Sequence, residues 1–473
     1  MSELISNLVS VLGHAQVLTD CELMESYVVD QRRQYRGRPA VVVRPGTTEE
    51  VANVVRLAAA HGATLVPYGG NTSYCGGATA DDTGTQVVVS LERMTRIREI
   101  DTDSLAIGLD AGVILADAQK AAEEAGMMLP LSLGSEGSAR IGGVVSTNAG
   151  GLNALRYGVA RDLVLGLEVV LPDGRILDRM LKLRKNNTGY DLRQLWIGAE
   201  GTLGIVTGVM LRLMPQPSQV VTAWIALHAD TPMIPYLNHL RIAGGDLLTS
   251  FEIMRPGALS CVQSMRGGDI PVPVGEGGAL LVEFSTASTV LDLEEIASAA
   301  LEPLMENSGV ADILLTTTGR QRDALWEIRE SIPEAEKHCG GAVKHDISVP
   351  LSAIDVFLNE AEDLVRSTPG NGGLSVYGHA GDGNIHFNVL APKGQDLPSF
   401  TEEVSGTLSQ QIYDLADRLG GVFSAEHGVG RLKIPLLHRY GSPVALELME
   451  AIKEALDPQG VMNPRSIIAS GKS

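Results

Sequence analysis

The chain has 473 residues, more than one hydrophobic core usually supports, so two or three domains are expected. Hydrophobic residues make up 44% and charged residues 20%, the make-up of a globular protein rather than a disordered or fibrous one. A net charge of −20 with no basic cluster argues against nucleic acid as a partner.

The four cysteines, Cys21, Cys75, Cys261 and Cys339, form no CxxC pair, which disfavours a cysteine zinc site and fits a reducing compartment. The opening MSELISNLVSVLGHAQVLTD reads as a short amphipathic helix, with Glu3 where a signal peptide carries positive charge. No apolar run reaches the roughly 18 residues of a membrane span. A cytoplasmic protein is expected.

Residues 1–37 are helical and then extended. AVVVRP follows as a strand, and Thr48 is the expected N-cap of a helix with Glu49 and Glu50 in its first turn. ATLVPY completes a strand–helix–strand unit. Strands dominate residues 85–230, with a helix at 114–126 and a hairpin turn at Pro172–Gly174. From 216 to 425, strands such as ALLVEFS and IHFNV alternate with helices, giving an α+β region with an antiparallel sheet. A last helix, PVALELMEAIKEALDP, precedes VMNP. The expected boundaries are 1–37, 38–215, 216–425 and 426–473.

Three glycine-rich stretches are too long for ordinary turns: Pro67–Gly77, Leu133–Gly158 and Asn186–Thr207. Glycine lets backbone amides approach a ligand closely, and consecutive amides form an anion-binding nest that suits a pyrophosphate. None matches GxGxxG before a helix or GxxxxGK[ST], so a Rossmann NAD site and a P-loop are disfavoured. Thr72, Ser73, Thr147 and Asn148 add side-chain hydrogen-bonding groups. Cys75 reads as a small buried filler.

The order of GGNT, GGVVSTNAGG…RYG and GAEGTLGI resembles the FAD-binding domain of the vanillyl-alcohol oxidase and p-cresol methylhydroxylase type. The resemblance implies a two-lobed FAD-binding domain and contacts from Gly69, Gly70, Asn71, Thr72, Gly134, Gly142, Thr147, Asn148, Gly150, Gly151, Gly201 and Ile205. The first two loops lack histidine, so non-covalent FAD is expected.

In the stretch HAGDGNIH, His379 and His386 flank a glycine-rich turn, and a hairpin brings its two arms together. His386 and Asn388, two apart, share one face. AEHGVGRLK pairs Glu426 with His427, and Gly428 and Gly430 permit the bend that would let both serve one site. His379, His386 and Glu426 make a His₂Glu set that suits zinc with an open position, and manganese or cobalt less selectively.

GHAGDGNIHFN and SAEHGVGRLK resemble the C-terminal signatures of the FAD-linked D-2-hydroxyacid dehydrogenases, a group that includes D-lactate dehydrogenase and D-2-hydroxyglutarate dehydrogenase. The resemblance runs from about residue 38 to the end. It implies a metal on His379, His386 and Glu426, Asn388 on the substrate, His427 as the base and Asn463 near the flavin. It also implies a substrate/cap domain with an antiparallel sheet, and a C-terminal segment returning to the FAD domain.

Arg329 and Lys344 stand where the D-2-hydroxyglutarate branch holds a substrate carboxylate. Pro333 stands where that branch can carry a threonine, so D-malate or a monoacid such as D-lactate or glycolate stays open. Apart from the resemblance, Arg329 reads as part of a solvated helix face and Lys344 as a strand-edge charge. An external electron acceptor (an electron-transfer flavoprotein or a quinone-linked carrier) and a homodimer complete the expectation. Readings of another class are a metal-dependent hydrolase using the His₂Glu set alone and a non-catalytic flavin-binding subunit.

Overall fold

The computed structural model describes residues 1–316 and 318–468. It divides into two compact units. One comprises Met1–Gly151, Tyr157–Gln216 and the residues from Glu426 on; the other comprises Leu152–Arg156 and Pro217–Ala425.

Within the first unit, strands Val17–Leu18, Val41–Val43, Val87–Ser90 and Leu65–Tyr68 form a four-stranded sheet in that order. The β-branched runs are fully buried, as a covered parallel sheet requires. Helix Thr48–Ala60 packs Val51, Val54, Val55 and Ala58 against it, and Leu4, Leu8 and Leu12 of helix Ser2–Leu12 join the same core. The N-cap is Thr47, one residue before the expected Thr48: Thr47 has extended backbone and its hydroxyl accepts from the Glu50 amide at 3.1 Å. Thr48 instead turns inward and donates to Glu168 at 2.6 Å.

A five-stranded antiparallel sheet follows, ordered Ile97–Asp101, Ala106–Asp110, Ile205–Arg212, Val164–Val170 and Ile176–Arg179. Its last two strands meet at Pro172–Gly174, where Gly174 has φ 79°. The helix expected at 114–126 spans Leu115–Glu124 and buries Leu115, Ala118 and Ala122. The second glycine-rich stretch holds a short helix, Ile141–Ser146, in place of continuous loop. Ile141, Val144 and Val145 bury themselves in the core, and that burial outweighs the poor helix propensity of Gly142 and Gly143.

The second unit is built on an eight-stranded antiparallel sheet. Its path runs Val310–Leu315, Gln219–Leu227, Gly278–Thr286, Leu248–Met254, Leu374–Gly378, Asn384–Leu390 and Ala342–Val343, with Asp346–Ser348 also pairing Asn384–Leu390. Helices cover both faces. Ile234–Gly244, Leu293–Met305, Ile354–Ser367 and Leu408–Arg418 pack on one. Pro256–Arg266, Gly319–Glu330 and Ile332–His338 pack on the other. Two covered faces explain why GALLVEFST is buried at every position rather than alternating.

Candidate active site

Strands Leu374–Gly378 and Asn384–Leu390 form a hairpin in which Tyr377 faces His386 and Ser375 faces Asn388. Directly opposed residues of an antiparallel pair share a face, so Ser375, Tyr377, His386 and Asn388 line one side. The turn closes through the Asp382 carboxylate, which accepts from the Asn384 amide at 3.1 Å, and through Gly383 at φ 94°. Burial pushes the Asp382 carboxyl up to about 6. His379 lies in the turn, just past the strand end, with its ring centroid 5.6 Å from that of His386. Asp346 pairs with His386 on the other side of the strand. The chain at 422–425 runs alongside Asp346–Ser348, with the Ala425 amide donating to Asp346 O at 3.2 Å. Glu426 is the next residue. It opens the last segment of the first unit, whereas His379 and His386 belong to the second.

The same sheet face carries two cations, Arg329 buried and Lys344 partly exposed. Met254 faces Tyr377 across the neighbouring strand, and Glu252, two residues back, points the same way. Its Oε1 lies 2.7 Å from His379 Nδ1, and its Oε2 accepts from Arg329 Nε at 2.8 Å. With a carboxylate on Nδ1, Nε2 is the atom His379 could offer a metal, the arrangement usual where an imidazole binds one. Burial alone would raise the Glu252 carboxyl, but His379 and Arg329 outweigh it and hold it below the usual carboxylate range. Arg329 is 5% exposed and sits 4.8 Å over the Tyr377 ring, so it is no solvated helix charge. Lys344 forms an ion pair with Glu336 Oε2. Glu336 Oε1 accepts from Asn388 Nδ2 at 2.8 Å, while Asn388 Oδ1 accepts from the His345 amide at 3.3 Å. One N–H of Asn388 thus remains for a ligand.

In the first unit, the glycine-rich stretches alternate open and closely packed backbone. Side chains at Gly134, Gly137 and Gly143 would meet nothing within 4 Å, whereas one at Gly70 would collide with the Ser138 carbonyl and one at Gly142 would come within 2.7 Å of the Ala111 Cβ. Gly201, at φ 73°, packs on Pro67, and Ile205 is buried at the start of its strand. Gly69 lies against Gly143, Gly151 adopts φ 117° beside Ser132, and Thr72 is half-buried in the first loop.

Asn71, Asn148 and Asn463 adopt φ 52°, 52° and 38°, a region asparagine enters more readily than most residues. Their side chains brace the loops: Asn71 Nδ2 donates to Val29 O at 2.8 Å, Asn148 Oδ1 accepts from the Arg161 amide at 2.9 Å, and Asn463 Nδ2 donates to Gly77 O at 2.9 Å. The Thr147 hydroxyl donates to Gly143 O at 3.0 Å. These loops therefore offer a dinucleotide mainly backbone amides. Gly150 lies against Glu426, where a side chain would come within 3.2 Å of Oε1. The His427 ring stands edge-on to Tyr74 at 4.7 Å, and the Arg32 guanidinium caps Tyr74 at 3.8 Å. Glu200 fixes the loop behind His427 by accepting from the Val429 and Gly430 amides, both at 2.8 Å. Cys75 is buried and its thiol reaches Gly428 O at 3.4 Å.

The chain matches an FAD binding domain over residues 39–179 and the C-terminal domain of FAD linked oxidases over residues 234–467. It is 36% identical over 454 residues to the mitochondrial D-2-hydroxyglutarate dehydrogenase of Bos taurus, covering 96% of this chain and 81% of the relative. It is 35% identical over 469 residues to the D-2-hydroxyglutarate dehydrogenase of Stutzerimonas stutzeri (strain A1501), covering 99% of each. The chain belongs to the FAD-linked D-2-hydroxyacid dehydrogenase family. It is an FAD-dependent oxidoreductase. Its fold is that of p-cresol methylhydroxylase, with a TM-score of 0.77 at 17% identity over 98% of this chain and 96% of that one. A putative mitochondrial D-lactate dehydrogenase of Schizosaccharomyces pombe is 34% identical over 455 residues, covering 94% of this chain and 85% of the relative.

Several residues of this family member escaped the sequence reading. Glu252, Glu336 and Asp346 are single acids inside otherwise apolar or mixed segments, and Glu200 reads there as one more residue of a glycine-rich stretch. One signal was available: Glu252 sits mid-strand in LTSFEIM, where a charge is rarely buried without a partner. Tyr74 carried no pattern at all. Among the described residues, no helix is long and apolar enough to cross a membrane.

Proposed function

We propose that this protein oxidises the C2 hydroxyl of a D-2-hydroxyacid to the 2-oxoacid, with D-2-hydroxyglutarate as the first candidate and D-malate the next. The observation that carries the reading is the shared sheet face. An imidazole pair stands beside two cations, Arg329 and Lys344, as a molecule with a chelating hydroxyacid end and a second anionic end requires. Two relatives named D-2-hydroxyglutarate dehydrogenase support the substrate class.

The proposed cofactor is non-covalent FAD, which supplies a two-electron sink for the hydrogen leaving C2. The glycine-rich loops support this reading: their backbone is open at Gly134, Gly137 and Gly143, and accessible amides suit a pyrophosphate. The proposed metal is zinc, with manganese or cobalt next, held by His379, His386 and Glu426; a divalent cation supplies Lewis acidity that eases loss of the hydroxyl proton. The mixed nitrogen and oxygen donor set fits such a cation.

His427 takes the hydroxyl proton, its imidazole pKa range suiting a base at neutral pH. Tyr74 confines the His427 ring, and the Glu200 carboxylate fixes the loop behind it. Asn388 binds the hydroxyl or C1 carboxylate through its second N–H, and Arg329 and Lys344 hold the far end. Electrons leave to an external acceptor, an electron-transfer flavoprotein or a quinone-linked carrier. A cytoplasmic homodimer completes the proposal. A D-lactate-type monoacid is the second reading, favoured by the one-to-one pairing of Arg329 with Glu252 and Lys344 with Glu336.

The test is an anaerobic panel of D-2-hydroxyglutarate, D-malate, D-lactate and glycolate with the FAD-loaded protein, read as loss of the flavin band. D-2-hydroxyglutarate should bleach it fastest, and His427→Ala should keep its flavin yet stay oxidised. Bleaching by D-lactate or glycolate alone would move the substrate to a monoacid. No bleaching by any of the four would overturn the dehydrogenase reading.

A further inference from the structure

We propose that Glu336 sets how strongly this site accepts a second carboxylate on its substrate, by acting as the built-in counter-ion of Lys344; this rests on the substrate role given above to Lys344. Glu336 is 0% exposed on helix Ile332–His338. Its Oε2 is ion-paired to Lys344, and its Oε1 accepts from Asn388 Nδ2 at 2.8 Å. The Lys344 side chain is 24% exposed and that of Glu336 1%, so the ammonium stands at the open edge with the carboxylate behind it.

Arg329 is matched in the same way. Glu252, itself buried, takes its guanidinium at 2.8 Å. These two cations and two carboxylates cancel, so the four groups offer an incoming anion no surplus positive charge. A monoacid needs none at its far end. A diacid must share Lys344 with an anion that stays in place, because Asn388 holds the other Glu336 oxygen. Coulomb attraction is strong in this buried setting, so a retained counter-ion weakens the distal grip far more than it would in water. Glu336 is therefore a positioning residue that acts through Lys344 and Asn388. No step of the oxidation calls on it.

Glu336→Gln separates the two roles. The glutamine carbonyl can still accept from Asn388, while its amide gives Lys344 no anion. The ratio of kcat/KM for D-malate over D-lactate should rise about tenfold or more, the worth of one charge-assisted contact. The change should lie in KM, with kcat little moved. Glu336→Asp, which keeps the anion, should keep the wild-type ratio. Binding of 2-oxoglutarate against pyruvate, followed by the flavin spectrum, should shift the same way without turnover. A ratio unchanged or moved toward D-lactate in Glu336→Gln, with folding verified by circular dichroism, overturns the proposal. If the wild type reduces its flavin with no hydroxyacid, the dehydrogenase reading fails separately. The binding arm then decides alone: dicarboxylate binding tightened by Glu336→Gln supports the counter-ion role, and unchanged binding overturns it.

Discussion

Glu252 joins two groups that the sequence keeps far apart. One oxygen lies 2.7 Å from His379 Nδ1, 127 positions away, and the other accepts from Arg329, 77 positions away. The histidines and Glu426 were legible as residue types at suggestive spacings. Glu252 and Glu336 were not, because a buried acid gains its meaning from a distant partner that no local pattern reveals. In the mechanism proposed here, Glu252 fixes which imidazole nitrogen of His379 is available. Glu252→Gln keeps the shape but offers one acceptor where two donors need serving. Zinc affinity should then fall about 10- to 100-fold, as loss of a ligand's supporting partner typically causes. Competition with a chromophoric chelator measures it. Unchanged affinity would mean that something else sets the His379 ring.

Hairpins and helices were largely readable, since glycine turns and apolar periodicity act locally; how elements dock was less so. Helix Pro443–Leu456 illustrates the difference. Its apolar residues Val444, Leu448 and Ile452, at helical spacing, are 63%, 59% and 38% exposed. The buried residue of this helix is Lys453. Its ammonium donates to Thr202 O at 2.7 Å, Asp457 Oδ2 at 2.6 Å and Met462 O at 2.7 Å. Burial pushes the lysine pKa down, and Asp457 resists that shift. Asp457 in turn accepts from the Val461 and Met462 amides, setting up the turn that carries Asn463. Lys453→Met removes three bonds and strands a buried carboxylate. Such a change costs about 3–5 kcal/mol, to be read by urea denaturation. FAD affinity should fall with it, because Thr202 belongs to the third glycine-rich stretch. A loss under about 1 kcal/mol, the worth of an ordinary exposed ion pair, would show that the lysine does not dock this helix.

At the scale of the molecule, the net charge of −20 was plain from composition, but not which carboxylates are individually held ionised. Two opposing effects follow. Self-repulsion weakens the folded state at neutral pH and eases as the pH falls toward the isoelectric point near 4.9. Paired carboxylates act the other way. Burial raises the Glu168 carboxyl, but Arg98, Thr48 and Thr207 outweigh it and hold it below the usual value, and Arg193 holds Asp191 down to about 2. A carboxylate whose folded pKa lies below its unfolded one contributes stability above the unfolded value and loses it as the pH falls through the folded value. The stability curve should therefore be flat or rising on going from about pH 8 to pH 5 and fall below about pH 4. Salt should flatten the upper limb by screening the repulsion. Arg98→Met isolates the paired contribution, since Arg98 serves both Asp110 at 2.6 Å and Glu168 at 2.7 Å. Its deficit against the wild type should be about 2 kcal/mol at pH 7, the scale of charge-assisted hydrogen bonds, measured by urea denaturation. As the pH falls through the lowered folded value of the Glu168 carboxyl, the deficit should shrink. A deficit that stays constant across that range would mean that Arg98 acts through packing of its side chain rather than through its charge.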